Sequence, residues 1–217
     1  MRPIVVFDCD GTLVDSAAMI VAAMEQAFVD AAIEPPAAAA IREIIGLSLD
    51  EAIRRLAPAA TPLGGRRIVQ HYRSAFMALR ADGGYDELLF PGIAALLAEL
   101  DRDGRVMAIA TGKSRNGVAH LLAKHGLEDV FVSVQTADTN PSKPHPAMLL
   151  NAVAEAGGEP GDAVMIGDTS YDMEMAVAAG VAAVGVGWGH HPADHLRATG
   201  AAHVAADAGE LRALLCP

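Results

Sequence analysis

The chain has 217 residues, enough to bury a sizeable core in one domain or in a core domain plus an insertion. Its formal net charge of −11 argues against general nucleic-acid binding and against anionic membrane surfaces. The two cysteines, Cys9 and Cys216, form no disulfide framework, the apolar start is broken at Asp8 as a signal peptide would not be, and a cytoplasmic setting is expected.

Short apolar runs predict buried strands at Ile4–Phe7, Val106–Ala110, Val130–Val134, Ala163–Ile166 and Ala182–Val186, with a weaker sixth at Ala202–Ala205. Helical patterns separate them, at Gly92–Asp101, Ser114–His125, Pro146–Ala156, Tyr171–Ala179, Ala193–Thr199 and Ala208–Leu215. Strands alternating with helices imply an α/β fold, a doubly wound parallel sheet covered on both faces. From about Ser16 to Gly84 the rhythm breaks. Apolar residues recur there at helical spacing, as in Ile20, Met24, Ala27, Phe28 and Ala31, and Ser48-Leu49-Asp50-Glu51 fits a capping box. This predicts an all-helical insertion over 16–84 in a core made of 1–15 plus 85–217, with linkers at Asp15–Ala17 and Gly83–Glu87.

In open α/β sheets ligands bind beyond the carboxyl ends of the strands, and each chemically suggestive cluster here comes directly after a predicted strand. The first is Phe7-Asp8-Cys9-Asp10-Gly11-Thr12. Alternation along an extended strand points Asp8 and Asp10 the same way, a costly arrangement unless a cation or a shared proton relieves it. Such a pair suits a nucleophile and an acid–base partner beside Mg²⁺. Gly11 permits a tight turn, and Thr12 is placed to cap the next element. A calcium loop fails on spacing, since its Gly and Glu positions hold Leu13 and Met19. Cys9 faces the other way and is read as packing; a cysteine phosphatase needs an Arg where Asp15 stands.

The second cluster, Ala110-Thr111-Gly112-Lys113, offers a hydroxyl, an open backbone and a helix start to phosphoryl oxygens; by itself it is also an ordinary N-cap. Lys113 is placed either to meet the leaving part of a substrate or to face solvent. The third, Ser142-Lys143-Pro144-His145-Pro146, holds one of only three lysines, framed by prolines. The fourth, Gly167-Asp168-Thr169-Ser170-Tyr171-Asp172, sets two acids four apart. Hard oxygen ligands of this kind suit Mg²⁺ over Zn²⁺. His190, His191 and His195 read as incidental histidines of a loop and helix start.

Together the four runs resemble the motifs of the haloacid dehalogenase-like hydrolases, in the version carried by phosphatases, over nearly the whole chain. The resemblance implies that Asp8 attacks phosphorus to give an aspartyl-phosphate, and that Asp10 is the general acid and base. It implies Mg²⁺ held by Asp8, the backbone carbonyl of Asp10 and Asp168. Thr111, with the Gly112 backbone, would hold the phosphoryl group. Lys143 would neutralise nucleophile and phosphate, while Asp172 stands behind the metal or pairs with Lys143. It also implies that the inserted helices close over the site as a cap. Within that insertion Ile45-Gly46-Leu47-Ser48, and Arg42 or Arg54, are the candidates to touch substrate beside Lys113. Asp10, next to Asp8 in a closed site, is expected to have a raised pKa.

Within the family, dehalogenases lack an acid at the Asp10 position, and phosphonatases need a cap lysine that 16–84 does not contain. Leu13-Val14-Asp15-Ser16, Pro91-Gly92 and Ala110-Thr111-Gly112-Lys113-Ser114 resemble phosphoglycolate phosphatases, although Cys9, Gly112 and Thr169 replace the more frequent Leu, Asn and Ser. The expected partner is a small phosphorylated metabolite. A sugar phosphomutase of the beta-phosphoglucomutase type and a non-catalytic phosphometabolite-binding protein are the competing readings.

Overall fold

The computed structural model describes residues 4–216. In chain order the elements are β1 (Ile4–Phe7), β2 (Val14–Asp15), α1 (Ala17–Asp30), α2 (Ala38–Glu43), α3 (Leu49–Leu56), α4 (Pro62–Asp82), β3 (Leu88–Leu89) and α5 (Ile93–Arg102). Next come β4 (Met107–Thr111), α6 (Arg115–His125), β5 (Ser133–Thr136), α7 (Ala147–Glu155), β6 (Ala163–Gly167), α8 (Ser170–Ala179), β7 (Ala182–Val186), α9 (Ala193–Ala198), β8 (His203–Ala205) and α10 (Ala208–Leu215).

Six strands form one parallel sheet in the order β5-β4-β1-β6-β7-β8. The period of two splits the central strands between two cores. Val5, Phe7, Ile109 and Ile166 pack against Leu96, Leu97 and Leu100 of α5 and Val118, Leu121 and Leu122 of α6. Val6, Ala108, Ala110 and Met165 pack against Met148, Leu149 and Ala152 of α7 and Met173 and Ala176 of α8. Because β1 is buried on both faces, it reads as a continuous apolar run. Truncating fully buried Phe7 to Ala should cost about 3–5 kcal/mol. Phe7 lies opposite Ile109 on one side and Ile166 on the other, so β4 ends two residues and β6 one residue past the end of β1. The residues just past these strands share one edge of the sheet.

Between β2 and β3, α1 to α4 bury a separate cluster that includes Met24, Ala27, Phe28, Ile41, Ile53 and Ile68. Helix α4 begins where Thr61 Oγ1 accepts from Gly64 N at 3.1 Å with Pro62 in the first turn, and ends at Gly83 with φ +68°.

Three local expectations need correction. The capping box at Ser48 is half formed: Ser48 Oγ accepts from Glu51 N at 3.4 Å, but the Glu51 carboxylate turns to Arg54 and Arg55. The strand expected at Val130–Val134 lies at Ser133–Thr136, where Ser133 stands opposite Ala108; Val132 is 61% exposed and precedes the strand, its N–H donating to Met107 O at 2.9 Å. The first linker is not a loop throughout, since Asp15, with Val14 before it, pairs antiparallel with Leu88 and Leu89 just beyond the second linker.

Candidate active site

Asp8 is the first residue past β1, fixed by its N–H donating to Ile166 O at 2.9 Å. Its carboxylate is fully buried, and neither oxygen completes a hydrogen bond with the described residues. Lys143 Nζ stands 3.0 Å from Asp8 Oδ1 and 2.7 Å from Asp172 Oδ1, with all three side chains wholly buried. Burial pushes Asp8 up to about 7, against the pull of Lys143 and of the Thr111 hydroxyl and with the help of Asp172 and Asp168. Burial alone would lower Lys143, but Asp172 and Asp8 outweigh it and hold the ammonium charged. Asp172 is itself oriented by the start of α8: its Oδ2 accepts from Thr169 N at 3.1 Å and Thr169 Oγ1 at 2.7 Å.

Asp168 completes the acidic cluster. Its Oδ1 accepts from Thr12 Oγ1 at 2.8 Å, so Thr12 serves Asp168 and does not cap a helix. Its Oδ2 accepts from His190 N at 2.9 Å and lies 2.6 Å from His190 Nδ1. Gly11, at φ +86°, makes this approach feasible, because a Cβ there would strike both the Asp168 carboxylate and the His190 ring. The histidines are therefore not incidental. His190 sits on Asp168, held above its ordinary pKa by that carboxylate although burial works the other way. His191 Nδ1 accepts from Ser170 N at 3.0 Å, and its ring stacks on His195.

Asp8, Asp168 and Asp172 each place a carboxylate oxygen within 4.8 Å of the others. Three buried carboxylates against one lysine, with no hydrogen bond completed at either Asp8 oxygen, fit a hard divalent cation.

Asp10 belongs to a different network. Its Oδ1 accepts from Ser16 Oγ at 2.6 Å and from Lys113 Nζ at 2.8 Å, and the same ammonium reaches Glu87 Oε1 at 2.8 Å. The expectation of a raised Asp10 is reversed: burial works upward, but Lys113 and then Ser16 outweigh it and hold Asp10 below its ordinary value. Lys113 faces neither solvent nor open space. Cys9 packs in the core with Phe7, its thiol pushed up by burial and then by Asp8 and Asp10.

The α2–α3 loop lies directly on this edge. A Cβ on Gly112 would strike Gly46 O and lie 2.6 Å from Leu47 O, and one on Gly46 would lie 3.3 Å from the Thr169 side chain. Ser48 N donates to Ser142 Oγ at 2.9 Å, beside Lys143. Tyr171 OH donates to Glu43 O at 2.9 Å, and His191 Nε2 lies 3.3 Å from the same oxygen. Gly46, Gly112, Thr111 and Lys143 are thus brought together. Arg42 and Arg54 are not: both are exposed, and Arg54 is spent on Glu51. The helical face that does reach the site is Tyr72-Phe76-Arg80 of α4, where Arg80 binds Glu87 at 2.8 Å and Lys113 Nζ stands 5.5 Å from the Phe76 ring centre. Spacings of four mark that face in the sequence, but not what it meets.

The sequence profile of the haloacid dehalogenase-like hydrolases matches residues 5–186. The chain belongs to this family. It is 39% identical over 206 residues to the "probable phosphatase IndB" of Dickeya dadantii, covering 91% of this chain and 86% of that protein. It is 34% identical to the tyrosine-protein kinase PtkA of Mycobacterium tuberculosis, over 98% of this chain and 72% of the kinase. With phosphoglycolate phosphatase 1 of Pseudomonas aeruginosa it shares 35% identity, over 87% and 70% of the two chains. The crystal structure of a hydrolase from Pseudomonas syringae superposes with a TM-score of 0.88 at 27% identity, covering 99% and 98%. As a haloacid dehalogenase-like enzyme with such relatives, the chain is a phosphoric monoester hydrolase.

Proposed function

We propose that this enzyme is an Mg²⁺-dependent phosphatase that hydrolyses a small phosphate monoester of the phosphoglycolate type through an aspartyl-phosphate on Asp8. The observation that carries the reading is the shared lysine: Lys143 lies between Asp8 and Asp172, while neither Asp8 oxygen completes a hydrogen bond with the described residues. An attacking carboxylate needs that freedom, and an incoming phosphate needs that cation.

Asp8, Asp168 and the Asp10 carbonyl would hold Mg²⁺, with Asp172 behind them bound to Lys143. When bound, the cation supplies charge neutralisation at the equatorial phosphoryl oxygens. Asp8 attacks phosphorus in line. Asp10, which Lys113 holds ionised in the resting site, takes up a proton from solvent before chemistry, gives it to the departing oxygen and then takes one from the attacking water. Thr111 and the Gly112 main chain hold the phosphoryl group, and Lys143 offsets its charge. Residues 16–84 act as a cap on a core of 1–15 plus 85–217. The α2–α3 loop excludes water, and Gly46 and Lys113 border the leaving group. The setting is the cytoplasm; no helix among the described residues is long and apolar enough to cross a membrane.

Phosphate release from a panel of phosphorylated metabolites, with Mg²⁺ or with a chelator, tests the reading. The expected result is Mg²⁺-dependent hydrolysis of short acidic phosphate esters, lost in Asp8→Asn, with no need for a bisphosphate activator. Substantial turnover by Asp8→Asn would refute the nucleophile, and a bisphosphate requirement would make the enzyme a mutase.

A further inference from the structure

Tyr72, Phe76 and Arg80 follow one another at spacings of four along α4 and share one stripe of that helix. Phe76 is fully engaged by its neighbours. Its ring centre lies 5.7 Å from that of Tyr72, 4.9 Å from the Arg80 guanidinium carbon and 5.5 Å from Lys113 Nζ. Arg80 is held by Glu87 at 2.8 Å, and Lys113 by Asp10 and Glu87, each at 2.8 Å. Tyr72 has no such anchor at its polar end. The residue is half-buried, and its hydroxyl completes no hydrogen bond among the described residues. The charges of Lys113, Asp10, Glu87 and Arg80 all act on the phenol, which sets its polar end toward that network and away from the apolar centre of the cap. Burial above all keeps the phenol protonated, so it stands there as a donor.

Other polar side chains of residues 16–84 near this edge are spent on protein partners: Ser16 on Asp10, Ser48 Oγ on Glu51 N and Arg55 on Glu51. Around Tyr72 the charges of Asp10 and Glu87 balance those of Lys113 and Arg80, so no net local charge turns an anion away. Donors are in surplus. Lys113 keeps an N–H that Asp10 and Glu87 do not take, Arg80 Nε is buried without completing a hydrogen bond, and the phenol adds its O–H. Such a place suits a group that only accepts hydrogen bonds, as a carboxylate does, and offers little to a plain alkyl end or to an ammonium.

We propose that the Tyr72 hydroxyl, beside Lys113, donates to a carboxylate on the leaving part of the substrate and so sets a preference for acidic phosphate esters over plain alkyl ones. The inference rests on the phosphatase reading above, in which Lys113 borders the leaving group, and names the side chain through which that reading selects its substrate. Phe76 holds the Tyr72 ring in place from the next turn of α4. A hydrogen bond made to a part of the ester that does not react holds ground state and transition state alike, so its loss belongs in KM and not in kcat.

The test compares steady-state hydrolysis of 2-phosphoglycolate and of ethyl phosphate by the full chain with Mg²⁺; ethyl phosphate carries a methyl where the acid carries its carboxylate. Tyr72→Phe removes the hydroxyl and keeps the ring against Phe76. Its kcat/KM for 2-phosphoglycolate is expected to fall about 10- to 100-fold, chiefly through KM, as for one hydrogen bond to a charged group. For ethyl phosphate the fall should be under about 3-fold. Competitive inhibition by inorganic phosphate, which has no leaving part, should keep its constant within about 2-fold. Tyr72→Leu, a second variant without the hydroxyl, should give the same contrast between the esters. Equal losses on both esters, a loss confined to kcat, or a preference for 2-phosphoglycolate that survives in both variants would each overturn the role of Tyr72. A purely structural role would lower the thermal midpoint and weaken both esters and phosphate alike. A wild-type enzyme that turns over ethyl phosphate as well as 2-phosphoglycolate would take away the acidic substrate class together with this inference, whereas a wild-type preference that the variants retain removes Tyr72 alone.

Discussion

The Tyr171 hydroxyl, in the first turn of α8, donates to the Glu43 carbonyl at the end of α2 across 2.9 Å. The same phenol accepts from Arg55 at 3.1 Å, and its ring meets His191 edge-on. Two residues along from Thr169, the start of α8 thus grips the end of α2.

Tyr171→Phe removes that grip and leaves the ring. One neutral hydrogen bond at a half-exposed site is worth about 0.5–1.5 kcal/mol. Amide exchange over residues 44–48 should quicken by roughly 2- to 10-fold, the same energy expressed as a population. The thermal midpoint of the core should barely move. Unchanged exchange in that loop would show that the clasp lies elsewhere.

Lys143→Ala leaves the buried carboxylates of Asp8 and Asp172 without their shared cation. Breaking one side of a buried ion pair costs about 3–5 kcal/mol, so the metal-free variant should melt well below wild type. It should also lose affinity for vanadate or tungstate, and most of its turnover. Lys143→Arg should recover stability in part and turnover little, because a planar fork does not fit a cavity shaped for a single ammonium. Full activity in Lys143→Arg would contradict the tight seat seen between Asp8 and Asp172.

Asp8 and Asp10 predict opposite responses to pH in separate windows. The folded-state pKa of Asp8 is raised from 3.8 to about 7. Between those values the folded chain holds a proton that the unfolded chain has lost, so stability from this group falls as pH rises from about 4 to about 7. Asp10 is depressed, so its contribution is present above the unfolded value and is lost only as pH falls below about 4. Thermal midpoints in chelator should therefore decline from about pH 4.5 toward about pH 7, and Asp8→Asn should flatten that decline. Added Mg²⁺ should raise the midpoint most at the upper end of the window. A midpoint that climbs over this window and does so equally in Asp8→Asn would refute the assignment.

Thr12→Val removes the donor to Asp168 Oδ1 while keeping the shape of the side chain. Outer partners of metal ligands typically contribute about 10- to 100-fold in affinity, and about 10-fold weaker Mg²⁺ binding is expected by calorimetry. The fold should survive, since Thr12 sits in a loop and not in a helix cap. Unaltered Mg²⁺ affinity would mean that Asp168 is oriented by His190 alone.

The parts of this enzyme that were legible in the sequence are local. An apolar run ending in Asp8 and Asp10 announces a strand and what lies beyond it, as do Thr111 at the end of β4 and Asp168 after β6, because each run carries strand and chemistry together. Glu87 and Arg80 carry no such signature. They matter through Lys113, whose partner Asp10 lies 103 positions away, and no periodicity encodes that meeting. The same distance explains the reversed expectation for Asp10, where the neighbouring Asp8 was visible and the opposing lysine was not. Val130-Phe131-Val132 looks like strand, yet β5 is an edge strand, and an edge needs less apolar surface than a centre. The pairing of Val14–Asp15 with Leu88–Leu89 is too short to leave a pattern.

Over residues 43–48 the contacts described above with the sheet edge are made by main chain: Glu43 O and Ser48 N in hydrogen bonds, and Gly46 O and Leu47 O in close approach to Gly112. Only Gly46, at φ +98°, is tied to its residue type by backbone shape. Ile45 and Leu47 can therefore exchange for other apolar side chains without breaking the clasp. The contact is thus carried by backbone shape, and a change of side chain at these two positions leaves it standing.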